Sequence, residues 1–240
     1  MIERSPMRTI AGKLVSSPVS IFFRTRSFVW ETGYRIRRDR MMRRYATIQP
    51  FPILGNNCIA GRICHDLGWP FLSPTVNLFM SVGDFSNLCN SYFETGKFPG
   101  GDDISLLAET PYPMGSLRGA VLHFLHYRTF GEAVSAWDRR AKRLNAYNGK
   151  PVAIVSDNSD CSDDELAEIL SLPIKKRMIV HDKRKALLLG KDGCYFPLSA
   201  KYGTNVSRKI GWTGKWLYQN LVPLDWLVGG SNLGKLPNEK

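Results

Sequence analysis

Short apolar runs alternate with helical patterns along the middle of the chain, and this alternation restricts the fold more than any other feature. Residues 50–55, 151–155 and 177–181 are apolar runs of the length and composition of buried strands. The sequence SDDE at 162–165 forms a capping box that starts a helix. The spacing predicts an α/β protein, with a mixed or mostly parallel sheet flanked by helices in a Rossmann-like layering.

The segments between these runs complete the expected order of elements. We predict helices over 62–67, closed by Gly68, and over 84–93. Residues 121–127 are rich in β-branched and aromatic side chains, which favours a strand, and a helical stripe follows from Thr129. Each strand is thus followed by a helix, as an α/β sheet requires.

The positive charge of the chain is concentrated at its beginning. Residues 1–45 hold 11 Lys and Arg against 3 acidic residues, which gives +8 of the chain's formal +12. We predict a basic amphipathic helix that begins at Pro18 and either lies on an anionic membrane surface or packs on the domain with a solvated basic face. A nucleic-acid arm is disfavoured because no nucleic-acid-binding motif follows. The apolar side of this helix comprises Phe22, Phe23, Trp30, Tyr34, Met41 and Tyr45, with Arg24, Arg35, Arg38 and Arg43 around it.

The same composition suggests how the chain is divided and where it resides. We expect a basic extension over 1–47, an α/β core over 48–200 and a Trp-containing segment over 201–240 that packs on the core. No apolar stretch reaches the roughly 20 residues of a spanning helix, and the run at 19–23 is too short for a signal peptide. Five scattered cysteines without a CxxC pair indicate a reducing compartment. We therefore predict a cytoplasmic protein, or one peripheral on the inner face of the plasma membrane.

A candidate binding loop follows the first strand. The sequence NNCIAG at 56–61 lies where a strand passes into a helix, which is where open α/β sheets bind ligands. Its small residues allow close approach, and the helix N–H groups and asparagine amides suit phosphate or sugar hydroxyls. The alternative is an ordinary turn whose asparagines bond nearby backbone. The loop is neither a Walker nor a dinucleotide-binding glycine motif.

A few side chains near this loop could carry chemistry. Cys58, close to a helix N-terminus, is a nucleophile if His123 or His126 reaches it, and otherwise a small buried residue. On a strand the two histidines point to opposite faces, so they are not a joint metal pair and one of them faces the pocket. Asp84 is a helix cap, a ligand for a sugar hydroxyl or a general base. Arg140 binds a phosphate or carboxylate, or only solvates its helix.

Several motifs together resemble one bacterial family. They are NNCIAG at 56–61, SPTVNL at 73–78, Asp84, HFLHY at 123–127 and WDRRAKRLN at 137–145. In type, order and spacing they are similar to the domain-of-unknown-function family 1919, over roughly residues 48–195. Members of this family are commonly labelled exopolysaccharide or capsule biosynthesis proteins.

The resemblance implies a role in surface-polysaccharide assembly but no particular reaction. Together with the loop at 56–61 and the basic extension, it favours a transferase that moves a sugar or a small substituent such as an acyl group. The donor would be a nucleotide sugar or an acyl-coenzyme A, and the acceptor a glycan or a lipid-linked glycan. The sequence shows no DxD-type metal motif, so a metal-independent mechanism is not disfavoured. The alternative is a non-catalytic module that binds glycan or the membrane surface and holds other assembly enzymes. We assign catalysis to His123, His126 and Asp84, and substrate binding to Asn56, Asn57, Cys58, Gly61, Ser73, Thr75, Tyr127 and Arg140.

Overall fold

The structure is a computed structural model that describes residues 18–157, 161–196, 209–210, 214–222 and 224–228. Side chains are described for these residues except 18–26, 209–210 and 228. The helices are α1 (Pro18–Arg44), α2 (Ile59–Leu67), α3 (Val82–Thr95), α4 (Phe130–Asn145), α5 (Asp163–Ser171), α6 (Lys183–Leu189), α7 (Tyr218–Leu221) and α8 (Leu224–Val228). The strands are β1 (Ile53–Gly55), β2 (Ser105–Ala108), β3 (Met114–Leu117), β4 (Ala120–His123), β5 (Val152–Ser156), β6 (Lys175–Val180), β7 (Gly193–Tyr195), β8 (Lys209–Ile210) and β9 (Lys215–Trp216).

The central sheet has four parallel strands in the order β1-β5-β6-β7. Ile53 aligns with Val152, and Val152 aligns with Lys175 on its other side. All five residues of β5 are buried, as expected for a parallel strand covered on both faces. The predicted α/β fold, with a parallel sheet flanked by helices, is confirmed.

Helices cover both faces of this sheet. Leu54 and Val155 point to one face and join a core with α3, α4, α5 and α6. Ile53 and Ile154 point to the other face and join a core with α1, α2, α7 and α8. The assignment alternates because successive side chains of a strand point to opposite faces. As a result, α2 starts at the carboxyl end of β1 and then lies on the face opposite α4.

Three strands form a separate antiparallel sheet, β2-β3-β4, which the sequence did not predict. Its second hairpin turns at Arg118 and Gly119, which have φ values of 52° and 87°. Two successive positive φ values are typical of a two-residue turn whose twist matches the strands. The dipeptide Arg118-Gly119 was therefore a hairpin signal, and the strand after it pairs with β3 rather than with the parallel sheet.

The strand predicted over 121–127 is too long, because β4 ends at His123. After it, the Phe124 N–H donates to the Pro113 carbonyl, and the Tyr127 N–H donates to the Phe124 carbonyl. These bonds fold residues 124–127 into a turn. The expectation that His123 and His126 point to opposite faces of one strand is therefore wrong, since His126 is not on the strand.

The first helix packs against α2, and a buried carboxylate of α2 links it to α7. The Trp30 and Tyr34 rings stack with centroids 5.3 Å apart, and the Tyr34 hydroxyl donates to Asp66 Oδ1 at 2.5 Å. Tyr218 of α7 donates its hydroxyl to the other oxygen of the same buried carboxylate. Asp66 thus joins α1, α2 and α7.

Trp30, Tyr34 and Tyr45 belong to the aromatic side of α1 that could have faced a membrane. All three are buried in protein, as the alternative of packing on the domain requires. Phe22, Phe23 and Arg24 were also assigned to the sides of this helix, and their side chains lie outside the described ones. None of the helices in the described ranges combines the length and apolarity needed to cross a bilayer.

The predicted helix boundaries agree with the structure where a local capping signal marks them. Gly68 ends α2 with a left-handed φ of 69°, and Ser162 and Glu165 form the predicted capping box of α5. However, α2 begins at Ile59 and α3 at Val82, each a few residues earlier than predicted. The division into residues 1–47, 48–200 and 201–240 stays a prediction.

Candidate functional site

The carboxyl ends of β1 and β5 are held together by one buried side chain. Asn56 Nδ2 donates to the Ser156 carbonyl at 2.8 Å, and Asn56 Oδ1 accepts from the Ser156 N–H at 2.9 Å. The Asn56 carbonyl also accepts from the Met80 N–H at 2.9 Å. Asn56 is fully buried, so its amide fixes the floor of the loop and is fully occupied with backbone partners.

Two buried hydroxyls hold the next part of the predicted site against β1. Thr75 Oγ1 accepts from the Gly55 N–H at 3.0 Å and lies 3.0 Å from Ser73 Oγ. Ser73 Oγ also accepts from the Thr75 N–H at 3.2 Å. Both side chains are buried, so these two predicted binding residues lie behind the loop and position it.

The turn after β4 brings His126 to Cys58. The Cys58 Sγ and His126 Nε2 atoms are 3.0 Å apart, which is hydrogen-bonding distance for a nucleophile and its base. Cys58 precedes the first residue of α2, and its side chain is half-buried, whereas His126 is exposed. A nucleophilic Cys58 requires that one of the two histidines reach it, and His126 does.

The charge state of this pair follows from the surroundings of the thiol. Burial raises the pKa of Cys58, and the positive charge of Arg62 opposes this rise. Cys58 is therefore a thiol at neutral pH, and a thiol is a weak hydrogen-bond donor. Arg62, which the sequence did not single out, lies one helical turn after Cys58, and its guanidinium stacks 4.0 Å from the Trp216 ring centroid.

The first turn of α2 presents backbone donors beside the thiol. The first N–H groups of a helix have no partner within it. Asn57 Oδ1 accepts one of them, from Ile59 at 3.0 Å, and the next two belong to Ala60 and Gly61. The Asn57 amide nitrogen donates to no other group in the part of the chain that the structure describes. Asn57 therefore keeps a free donor at the site.

Gly61 is required because another side chain occupies the space that a Cβ would fill. A Cβ at Gly61 would overlap the Asn77 amide oxygen. Asn77 has a φ of 62°, a left-handed conformation that asparagine adopts more readily than most residues. The segment at 73–78 is thus fitted to the start of α2, and Gly61 contributes through packing.

A second polar cluster surrounds His123. Its Nδ1 lies 3.2 Å from the Tyr112 hydroxyl, and its ring packs at 5.4 Å from the Phe79 ring. Burial lowers the pKa of His123, and the negative charge of Asp84 opposes this change. Asp84 also accepts from the Ser81 hydroxyl at 2.8 Å, while its N–H donates to that hydroxyl. Ser81 is the residue that caps α3, so the cap predicted at Asp84 lies three residues earlier.

Arg140 anchors the turn that carries His126. Its Nη1 donates to the Tyr127 hydroxyl at 2.6 Å and to the Val76 carbonyl at 3.2 Å. The guanidinium also lies 5.0 Å from the Phe71 ring centroid. Arg140 and Tyr127 therefore position His126 against the 71–78 segment.

The structure thus sorts the predicted residues into three groups. Cys58, His126 and Asn57 meet at the start of α2, and in the second cluster His123 feels the negative charge of Asp84. The others support these groups from behind; they are Asn56, Gly61, Ser73, Thr75, Tyr127 and Arg140.

Sequence reasoning missed Tyr112 and Asn77, because only the hairpin and the loop packing bring them to the site. In the described ranges, no group of three or more His, Cys, Asp or Glu side chains is arranged to hold a metal ion.

Comparison with known proteins shows what this chain is similar to. The model of a domain-of-unknown-function family, DUF1919, matches residues 32–227 of the 240-residue chain. An uncharacterized protein of Haemophilus influenzae is 27% identical over 191 residues, which cover 78% of this chain and 89% of that protein. The family match includes both polar clusters, the second half of α1 and the C-terminal helices.

Proposed function

The chain belongs to the DUF1919 family, and on that premise we propose that it is a transferase that moves an acyl group from a thioester donor to a glycan hydroxyl. The observation that carries this proposal is the 3.0 Å contact between Cys58 Sγ and His126 Nε2 at the carboxyl edge of the sheet. A thiol next to a base is the arrangement of covalent acyl transfer. Acyl-coenzyme A is the donor class, and the role in surface-polysaccharide assembly rests on the motif resemblance.

The first half of the reaction acylates the enzyme. As Cys58 Sγ attacks the thioester carbonyl carbon, its proton passes to His126 Nε2. The resulting oxyanion collapses, the bond to the donor sulfur breaks, and the departing thiolate takes the proton from His126. The products are a free donor thiol and an acyl group on Cys58. Since the resting Cys58 is a thiol, this step depends on His126 as a base rather than on a preformed thiolate.

The second half regenerates the thiol. The acceptor hydroxyl gives its proton to His126 as its oxygen attacks the acyl carbon, and the bond to Cys58 Sγ breaks. The Cys58 thiolate then recovers the proton from His126. The N–H groups of Ala60 and Gly61 lie at the positive end of the α2 dipole, where they could stabilise both oxyanions.

The cluster around His123 supports a glycan as acceptor. Half-buried Phe79 and Tyr112 offer ring faces, and Asp84 and His123 offer acceptors for sugar hydroxyls. The turn at 124–127 joins this cluster directly to His126. We assign acceptor binding to the His123 cluster and donor chemistry to Cys58 and His126.

Sugar transfer from a nucleotide sugar is a second candidate, favoured by one observation. The lowered pKa of His123 keeps it unprotonated at neutral pH beside Asp84, so it could take the proton of an acceptor hydroxyl. The two candidates differ in their need for the thiol. His123→Gln would abolish sugar transfer and Cys58→Ser would leave it intact, whereas acyl transfer requires Cys58.

We place the protein in the cytoplasm, at the inner face of the plasma membrane. All five cysteines are free thiols, which supports a reducing compartment. Activated donors such as acyl-coenzyme A are made in that compartment, so the location agrees with the proposed chemistry.

The test measures the coenzyme A released from acetyl-coenzyme A by liquid chromatography, with a polysaccharide supplied as the acceptor. We expect the wild-type protein to release coenzyme A, and Cys58→Ser and His126→Gln to lower the rate by about a hundredfold or more. Cys194→Ser is the matched control, because Cys194 is also half-buried and free, and it should retain full activity. Equal rates in wild type and Cys58→Ser would contradict the acyl-transfer proposal.

A further inference from the structure

The described part of α1 carries two apolar stripes rather than one. Trp30 and Tyr34 form the buried stripe, and their exposed fractions are 4% and 9%. Phe28, Val29 and Ile36 are 72%, 42% and 55% exposed. At 3.6 residues per turn these three lie together on the side of the helix opposite Trp30 and Tyr34. The second stripe is thus left at the surface after α1 has packed on the domain.

Exposed arginines surround this outer stripe, which comprises Phe28, Val29 and Ile36. At 100° per residue, exposed Arg35 and Arg40 flank the stripe, and exposed Arg43 and Asp39 lie on the same side of the helix, toward its C-terminal end. Asp39 is the one acidic side chain on this side of the described helix. Exposed apolar side chains with a surplus of cations on the same side suit a helix that lies in the plane of an anionic bilayer.

We infer that the outer stripe of α1 docks on an anionic membrane surface. The apolar side chains enter the headgroup region, while the arginines bind lipid phosphates. A second copy of the chain is a poorer partner, because two-fold packing of this stripe would bring arginines against arginines. Nucleic acid is also a poorer partner, because phosphate binding leaves the three apolar side chains unused. This inference does not depend on the acyl-transfer proposal.

The docking would fix the orientation of α2 as well as that of α1. Tyr34 on the buried stripe is bonded to Asp66 of α2, and the N-terminus of α2 carries Cys58. A membrane contact on the outer stripe would therefore orient the whole α1–α2 unit relative to the bilayer.

Vesicle sedimentation of the full chain tests the inference. We expect the wild type to sediment with phosphatidylglycerol-containing vesicles and not with phosphatidylcholine vesicles. Phe28→Ser with Ile36→Ser should weaken binding by on the order of tenfold. Leu187→Ser with Leu188→Ser is the matched control, since these leucines are 75% and 63% exposed on α6, and it should bind as the wild type does.

Three results would overturn the inference. One is that the Phe28→Ser, Ile36→Ser protein binds vesicles as tightly as the wild type. Another is that the wild type binds no vesicles but forms a dimer, by light scattering, that this variant loses. The third is that the wild type binds no vesicles but binds random oligonucleotides. Because acetyl-coenzyme A turnover is read out separately, failure here and failure of the proposed function are distinguishable.

Discussion

The adjacent residues Asn56 and Asn57 of the NNCIAG loop differ in burial and in hydrogen bonding. Asn56 is fully buried with three hydrogen bonds to backbone groups, two of them to Ser156. Asn57 is partly exposed, and its side chain makes one hydrogen bond, which its Oδ1 accepts from the Ile59 N–H. The sequence predicted ligand binding for both residues, because the residue type alone does not show which amide the neighbouring strand occupies. The pairing of β1 with β5 decides this.

This difference predicts unequal effects on stability. Asn56→Ala should lower the free energy of unfolding by about 2–4 kcal/mol, because it leaves buried Ser156 groups without partners. Asn57→Ala should cost about 1 kcal/mol or less, since it removes one bond at a helix start. Urea unfolding of both variants provides the measurement. Equal losses would mean that Asn56 does not join the two strands.

The reactive pair could be predicted only in part. Cys58 is recognisable from its place before a helix. Its partner could not be identified, since the choice between His123 and His126 depends on where β4 ends. The backbone hydrogen bonds at residues 124–127, from Phe124 to Pro113 and from Tyr127 to Phe124, carry no side-chain signature.

At the scale of elements, the fit between the 73–78 segment and α2 depends on Gly61. Gly61→Ala should lower the free energy of unfolding by about 1–3 kcal/mol, because the added methyl group overlaps the Asn77 amide. Gly131→Ala is the matched control in α4, where a Cβ would meet nothing within 4 Å. It should be neutral or stabilising by up to about 1 kcal/mol.

Thermal unfolding of the two glycine variants distinguishes packing from helix propensity. If both alanines raise the melting temperature, the close contact between Gly61 and Asn77 is absent. If both lower it, a property of glycine other than the space at Gly61 is responsible. Only opposite or clearly unequal effects agree with the packing described above.

Elements that depend on local signals were predicted best. The capping box at Ser162 and the left-handed Gly68 act within a few residues, so the sequence shows them directly. The antiparallel sheet was missed because its strands are short and β2 is largely exposed, which leaves no apolar run to detect. The parallel strands β1, β5 and β6 were found because burial gives each of them an apolar run, complete in β5 and limited to Met178–Val180 in β6, whereas β7 is short and partly exposed and was missed.

At the scale of the whole molecule, several buried groups make the folded state hold protons more tightly than the unfolded chain does. Burial raises the pKa of Tyr34 to about 12, with a further contribution from Asp66. Burial, with Asp225, raises the pKa of Tyr45 to about 12, and burial raises the pKa of Cys64 to about 12. Ordinary thiols and phenols lose their protons near about 8.5 and 10.

Alkaline pH should therefore destabilise the fold. Above the ordinary pKa values the unfolded chain has released these protons and the folded state has not, so the free energy of unfolding falls as pH rises. We expect it to be constant from neutral pH to about 8 and to decline from about 9 upward. Urea unfolding across this range measures it, and Tyr45→Phe should reduce the slope. A constant free energy of unfolding up to about pH 11 would contradict the account.

We claim that Cys58 is a nucleophile activated by His126, and acylation of the intact protein is the test. The protein is exposed briefly to p-nitrophenyl acetate at neutral pH, and acetylated peptides are quantified by mass spectrometry. We predict that Cys58 is acetylated at least about tenfold faster than Cys194, and that His126→Gln removes this advantage. Acetylation of Cys58 no faster than Cys194, or unchanged in His126→Gln, would contradict the claim.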